Sequence, residues 1–135
     1  MILTDAGPLV ALANRRDRDH RRCIRALIGL SRPLVTTWPV LTEAMYLIGR
    51  VLGWTGQVAV WRLVERGTLH IVDISADAAG RMQALMEQYR DLPMDLADAS
   101  LVAVAEERKL ERIFTLDSDF RVYRLPRGRS FTIVP

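Results

Sequence analysis

Asp5, Glu43, Asp98 and Asp117 each lie at the end of, beside or inside an apolar segment suited to burial. Ile2-Leu3-Thr4-Asp5 and Ile113-Phe114-Thr115-Leu116-Asp117 have the composition of short buried strands that stop on an acid. Glu43 and Asp98 fall beside or within apolar stripes of helical spacing. A lone buried carboxylate is costly to keep charged. Four that meet around one divalent cation escape that cost, because hard metals such as Mg2+ or Mn2+ take oxygen ligands and cancel the mutual repulsion. A cation so held polarises a phosphodiester and lowers the pKa of a bound water, so hydrolysis needs no protein nucleophile.

Each acid alone also has an ordinary use, and the weight falls on their agreement. Asp5 suits the cap of a helix beginning near Pro8. Asp95 and Asp98 have the three-residue spacing of a cap and a reciprocal capping acid, although capping does not require the apolar neighbours Leu101, Val102 and Ala105 on the Asp98 face. Glu43 suits an ion pair with an arginine, and Asp117 and Asp119 suit a turn. Thr115 can orient a carboxylate or a water through its hydroxyl, or simply fill a strand.

The elements that must position these acids alternate. A first strand over Met1–Thr4 delivers Asp5 to a short helix from Pro8, and a polar helix follows over Asp19–Leu30 with Cys23, Ile24, Leu27 and Ile28 available to the core. After a strand at Leu34–Thr36, Thr37 caps a helix over Trp38–Leu52 whose core face is Val40, Ala44, Leu47, Ile48 and Val51. Glu43 borders that stripe. Gly53-Trp54-Thr55-Gly56 breaks the chain before a further helix over Gln57–Glu65, and Leu69–Val72 forms a third strand. Ser75 caps a helix over Ala76–Tyr89, closed by Asp91-Leu92-Pro93, and the segment Met94–Glu107 is again helical. Ile113–Leu116, a helical turn over Asp119–Tyr123 and a last strand over Phe131–Val134 complete the chain. Alternation of this kind implies an α/β domain with a largely parallel sheet, in which reactive groups collect at the carboxyl ends of the strands.

A chain of 135 residues, half of them hydrophobic, suffices for one buried core and implies a single domain over 1–135. The basic residues are eighteen arginines and one lysine against sixteen acids. With four acids gathered in one cleft, the remaining surface is richer in guanidinium than the net charge of +3 suggests, which favours a polyanion such as RNA. Arg15, Arg16, Arg21 and Arg22 are candidate contacts. The single Cys23 cannot form an internal disulfide, and no run of apolar residues is long enough to span a membrane, so a cytoplasmic protein is expected.

Other chemistries lack their residues. His20 and His70 have no partner at zinc-like spacing, and no nucleophilic triad or glycine-rich phosphate loop is present. Aspartyl-phosphate chemistry needs a well-placed lysine and a D-x-D pair on the first strand, but the only lysine is Lys109 at a helix end and no such pair follows Leu3.

Taken in order, Ile2-Leu3-Thr4-Asp5, Leu41-Thr42-Glu43-Ala44, Asp95-Leu96-Ala97-Asp98-Ala99-Ser100-Leu101-Val102 and Ile113-Phe114-Thr115-Leu116-Asp117-Ser118-Asp119-Phe120 resemble the PIN-domain ribonucleases across essentially the whole chain. The resemblance is greatest to toxins of VapC-type toxin-antitoxin pairs. It implies a PIN-like three-layer α/β/α sandwich with a mainly parallel sheet of about five strands. It also implies an Mg2+- or Mn2+-dependent endoribonuclease whose catalytic and metal-binding acids are Asp5, Glu43, Asp98 and Asp117, with Asp119 an additional candidate. The products would carry a 5′-phosphate and a 3′-hydroxyl. A homodimer and an antitoxin partner are implied as well, with the segments bearing Trp38, Trp54 and Trp61 as one source of the interfaces. The resemblance leaves the role of Asp95 open. One departure stands out: Ala6 follows the first acid where similar proteins often carry a hydroxyl residue. Two alternatives stay open at this level, a PIN-type RNA-processing nuclease outside any toxin-antitoxin pair and a non-catalytic binding module with a degenerate acidic pocket.

Overall fold

In the computed structural model, which describes residues 1–135, five parallel strands form one sheet in the order β3-β2-β1-β4-β7. These are β1 (Ile2–Thr4), β2 (Leu34–Thr37), β3 (Leu69–Val72), β4 (Arg112–Phe114) and β7 (Thr132–Val134). β1 lies at the centre, pairing Leu3 with Val35 on one side and with Ile113 on the other. Ile2, Leu3, Leu34, Ile113 and Phe114 are wholly buried, the continuous apolar signature of parallel strands covered on both faces. Five helices flank the sheet: α1 (Ala6–Ala13), α2 (His20–Gly29), α3 (Trp38–Glu65), α4 (Ala79–Gln88) and α5 (Leu96–Arg108). The result is the expected three-layer α/β/α sandwich.

The helix that carries Asp98 is buried through its middle. From Ala97 to Ala105 every residue of α5 is buried, so its apolar character runs around the helix instead of along one stripe. Two hydroxyls tie α5 to the start of α3. Ser100 Oγ donates to the Ala97 carbonyl at 2.6 Å and lies 2.6 Å from Thr37 Oγ1. With the Ser100 proton so committed, Thr37 donates to Ser100, and its lone pairs cap α3 by accepting from Val40 N–H. The helices bearing Glu43 and Asp98 are thereby held in one register.

Several elements differ from expectation in extent. The expected break in the Gly53–Gly56 segment is present but shorter: α3 is two helices that meet at a kink, where Gly53 alone leaves helical geometry at φ 62° and ψ −154°. The core face of α3 is narrower than its periodicity suggests. Val40, Leu41, Ala44 and Ile48 are buried, but Leu47 and Val51 are exposed because no element of the fold covers that flank. On α2, Cys23 is fully buried as expected, whereas Ile24 and Ile28 face outward. Ser75 makes no capping hydrogen bond, and a turn of 3₁₀ helix over Ala76–Ala78 precedes α4. β4 ends at Phe114, two residues early, although Thr115 N–H still bonds the Val134 carbonyl. A short antiparallel hairpin, β5 (Arg124–Leu125) with β6 (Arg129–Ser130), precedes β7.

The Gly53 backbone lies in a region open essentially only to glycine, with nothing near the place a Cβ would occupy. Gly53→Ala is therefore expected to destabilise the fold by about 1–3 kcal/mol through backbone strain alone. Gly80→Ala, in an exposed helical position with equal room, is expected to stabilise by about 0.5 kcal/mol. Urea midpoints of the two variants check the contrast.

Candidate metal centre

Asp5 follows directly on β1, and its main-chain N–H bonds the Phe114 carbonyl of β4 at 3.0 Å, extending the ladder by one step. Its side chain is 6% exposed and both carboxylate oxygens have donors. Oδ1 accepts from Ala6 N–H at 2.7 Å, capping α1, and Oδ2 accepts from Thr115 Oγ1 at 2.9 Å. The missing hydroxyl at position 6 thus leaves no oxygen of Asp5 without a donor. Thr115 also accepts from Asp117 N–H at 3.0 Å, so one hydroxyl fixes Asp5 and the loop that bears Asp117. Asp117 Oδ1 in turn accepts from Asp119 N–H at 2.9 Å.

Asp98 stands in the first turn of α5. Its main-chain N–H bonds Asp95 Oδ1 at 2.8 Å, so Asp95 is the helix cap. The Asp98 carboxylate does not return the bond to close a capping box. Oδ2 instead accepts from Tyr123 Oη at 2.6 Å. Tyr123 is fully buried, with its ring set edge-on against Tyr89 and Phe120, each at 5.0 Å between centroids. Sequence spacing does not reveal this residue. Its only trace is an aromatic that combines an apolar body with a hydroxyl, a few residues beyond Asp117.

Oxygens of Asp5, Asp98 and Asp117 all lie within 4.8 Å of one another. Glu43 lines the same cleft, of about 410 Å³, together with Asp95, Leu47 and Leu116, but its oxygens stand outside the close set of three. Asp119 is not part of the cleft wall and touches the site through its N–H. No arginine or lysine pairs with any of the five cleft acids, since every ion pair of the molecule lies elsewhere. The negative charge is uncompensated within the chain. Burial, then repulsion from neighbouring carboxylates, raises the affinity of the site for positive charge. Burial pushes Asp98 up to about 8 against the opposing Tyr123 hydrogen bond, with Asp95, Asp5 and Asp117 adding to the rise. Burial likewise raises Asp5, despite the donors at Ala6 and Thr115, and it raises Glu43, with the other acids contributing to both. Burial and the adjacent Asp117 raise Asp119. An oxygen-only donor set of this kind, partly buried and unpaired with any side-chain cation, fits a hard divalent cation.

The PIN domain family matches residues 2–125. The chain belongs to that family. It is 25% identical to Ribonuclease VapC26 of Mycobacterium tuberculosis over 99% of this chain and all of that protein. Its fold is similar to the crystal structure of Mycobacterium tuberculosis VapC20, described as a Sarcin-Ricin loop cleaving toxin, with a TM-score of 0.83, 20% identity and coverage of 90% of this chain and 94% of that one. A chain in a toxin-antitoxin complex from Klebsiella pneumoniae matches with a TM-score of 0.70 and 24% identity, over all of this chain and 97% of that one. The PIN sheet order places Asp5 and Asp117 beside each other, and α5 brings Asp98 to the same edge.

The raised Asp98 carboxyl gives a linked prediction. Its folded-state value of about 8 exceeds its usual 3.8, so the folded chain holds this proton more tightly than the unfolded chain does. The resulting stability is complete below the usual value and is lost as pH rises toward about 8. The melting temperature of the metal-free protein is expected to fall across that interval, and millimolar Mg2+ or Mn2+ to restore it most at the upper end. Asp98→Asn should flatten both dependences in thermal melts. Tyr123→Phe removes the donor that orients Asp98, and is expected to weaken Mn2+ binding about 10–100-fold by calorimetry, as loss of an outer-shell partner does.

Proposed function

We propose that this PIN-domain protein is a metal-dependent endoribonuclease, the toxin of a type II toxin-antitoxin pair. The observation that carries the reading is the convergence of Asp5, Asp98 and Asp117 oxygens within 4.8 Å, in a cleft that no side-chain cation neutralises. The names of the relatives, a ribonuclease and a Sarcin-Ricin loop cleaving toxin, support the substrate class. The toxin-antitoxin complex supports the partner.

In this reading Asp5, Asp98 and Asp117 hold Mg2+ or Mn2+, and Glu43 faces the same space from α3. The cation, when bound, supplies Lewis-acid polarisation of a phosphodiester and acidification of water. The chain supplies the geometry. Thr115 locks Asp5 and the Asp117 loop together, Asp95 fixes the start of α5, and Tyr123 turns the Asp98 carboxylate toward its neighbours. Glu43, raised by burial and by Asp95, Asp5 and Asp117, is suited to accept a proton from an attacking water. Asp119 acts through its main-chain N–H on Asp117. No other group in the cleft offers nucleophilic chemistry, which agrees with direct attack by water.

The chain acts as one domain in the cytoplasm, where RNA and an antitoxin meet it. No helix is long and apolar enough to cross a membrane. A homodimer, and association with the antitoxin, are supported by apolar side chains left in the open: Trp38 is 51% and Trp54 68% exposed, with Tyr46, Val51 and Leu96 also exposed. Trp61, by contrast, packs against the core.

Loss of an outer-shell partner alone costs about 10–100-fold, so Asp5→Asn or Asp98→Asn should lower RNA cleavage at least ~100-fold while leaving the circular dichroism spectrum native. Glu43→Gln should slow cleavage with a smaller loss of Mn2+ affinity than Asp98→Asn, because Glu43 lies outside the close set. Cleavage that survives chelation by EDTA, or survives Asp98→Asn, would rule out the metal-dependent reading. RNA binding that persists with no cleavage in the wild-type protein under Mg2+ or Mn2+ would instead favour a binding module.

A further inference from the structure

A second cavity, of about 190 Å³, lies next to the acidic cleft. Leu116 and Asp117 belong to the walls of both, so the two cavities are neighbours across the Asp117 loop. Its other polar lining differs in sign: Arg22 from α2 and Arg121 from the turn after Asp117 face it, with Ser118 between Asp117 and Arg121 in sequence. Arg121 has no acidic partner anywhere in the molecule. Its side chain makes no hydrogen bond, although its carbonyl accepts from Arg124. Arg22 reaches Asp19 only at 3.9 Å, while its Nη2 donates to the Pro135 main-chain oxygen at 3.3 Å, which steadies the guanidinium at the rim. Of the arginines singled out in the sequence, Arg15 and Arg16 line a separate groove against Val51 and Leu52 that shares no wall with the acidic cleft.

We infer that Arg22 and Arg121 form a binding subsite for a backbone phosphate of the RNA strand, next to the phosphate held over the acidic cleft. The inference rests on the nuclease reading and adds to it the path of the strand. A carboxylate cluster repels the polyanion it must cut, and a cation there offsets that repulsion only at the scissile position. The neighbouring phosphate needs positive charge of its own. Two guanidinium groups that lack a close acidic partner, across a shared wall, provide it as bidentate donors. With Asp117 engaged on the cation, Arg22 and Arg121 are the charged side chains left lining the second cavity. The strand then leaves the cleft on the side of α2 and the Asp117–Arg121 turn.

The test measures binding of a fluorescein-labelled, mixed-sequence single-stranded RNA 12-mer as a function of salt, in an Asp98→Asn background that does not cut it, together with cleavage in the active background. Arg22→Ala/Arg121→Ala is expected to weaken RNA binding about tenfold, in line with loss of charge-assisted hydrogen bonds. The slope of log K against log salt should fall by about 0.7 for each phosphate that the variant no longer neutralises. Mn2+ affinity, read by calorimetry in the active background, should not change, and Arg22→Lys/Arg121→Lys should recover part of the affinity. A charge-matched control, Arg66→Ala/Arg90→Ala, removes two exposed arginines that line neither cavity and should change binding less than twofold. Equal losses in the two double variants, or an unchanged salt slope in Arg22→Ala/Arg121→Ala, would overturn the subsite. If that variant behaves as the parent while the parent still cuts RNA with Mn2+, the subsite alone falls. A parent that neither binds nor cuts RNA removes the nuclease reading and the subsite with it.

Discussion

Repulsion among carboxylates gathered at one edge of the sheet, two of them buried, is the constraint around which this molecule is arranged. Asp5 and Asp98 are each 6% exposed, and Asp117 closes the set from a loop. Left to themselves, such groups would separate or take up protons. Here covalent and packing geometry prevents separation: β1 and β4 are adjacent strands in register, and the Thr115 hydroxyl bonds Asp5 with its proton and the Asp117 N–H with its lone pair. Across the cleft, the Thr37–Ser100 bridge locks the start of α3 to α5. The core supplies the force that keeps like charges together, and a bound cation or proton relieves it. Stability and metal binding are for this reason two expressions of one interaction.

Much of that arrangement is legible in the sequence, because a parallel strand buried on both faces leaves a continuous apolar run that ends where its chemistry begins. Ile2–Thr4 and Ile113–Phe114 are such runs, and the acids just beyond them meet because central strands pair with register fixed by those same residues. Asp98 is legible for the complementary reason: an acid among Leu101, Val102 and Ala105 stands on a face of the helix that is otherwise apolar and buried. What is not legible depends on how far a neighbouring element extends. Periodicity marks Leu47 and Val51 as members of the α3 stripe, yet whether they are covered is decided by other elements, and none reaches them. The two-residue strands of the β5–β6 hairpin are too short to leave an alternating pattern. The break at Gly53 is confined to one residue because glycine can take the strained conformation and return to helix at the next.

The two flanks of the acidic cleft are unlike. Beyond Glu43 and Asp95 lies a broader groove walled by Trp38, Pro39, Tyr46 and Leu96, apolar and aromatic. Beyond Asp117 lies the smaller arginine-lined cavity. A surface that is aromatic on one side of its acids and cationic on the other gives a strand-like ligand a direction. The aromatic side is suited to flat apolar partners, whether bases or a protein segment, and the cationic side only to an anion. Since the acids themselves sit between, the same edge of the sheet that sets the chemistry also sets the order in which a ligand meets each flank.

Tyr123 shows why a neutral donor, not a basic one, orients a buried acid of this cleft. An arginine or lysine at this position would bond Asp98 as well, but it would neutralise the carboxylate and compete with the cation for it. The tyrosine hydroxyl gives direction without charge. Burial first, and then the bond to Asp98, raise its own pKa above the ordinary phenol value, so it stays a donor throughout the range in which Asp98 titrates. Tyr89 and Phe120 hold the ring edge-on, and Phe131 packs on Phe120 in turn at 5.7 Å, so the hydroxyl has little freedom to follow a different partner. The remaining Asp98 oxygen is left for the cleft. A carboxyl group fixed at one oxygen by an uncharged donor and free at the other can give up its proton to a metal ion without first breaking an ion pair, and the aromatic cluster that looks like ordinary core is what keeps that oxygen in place.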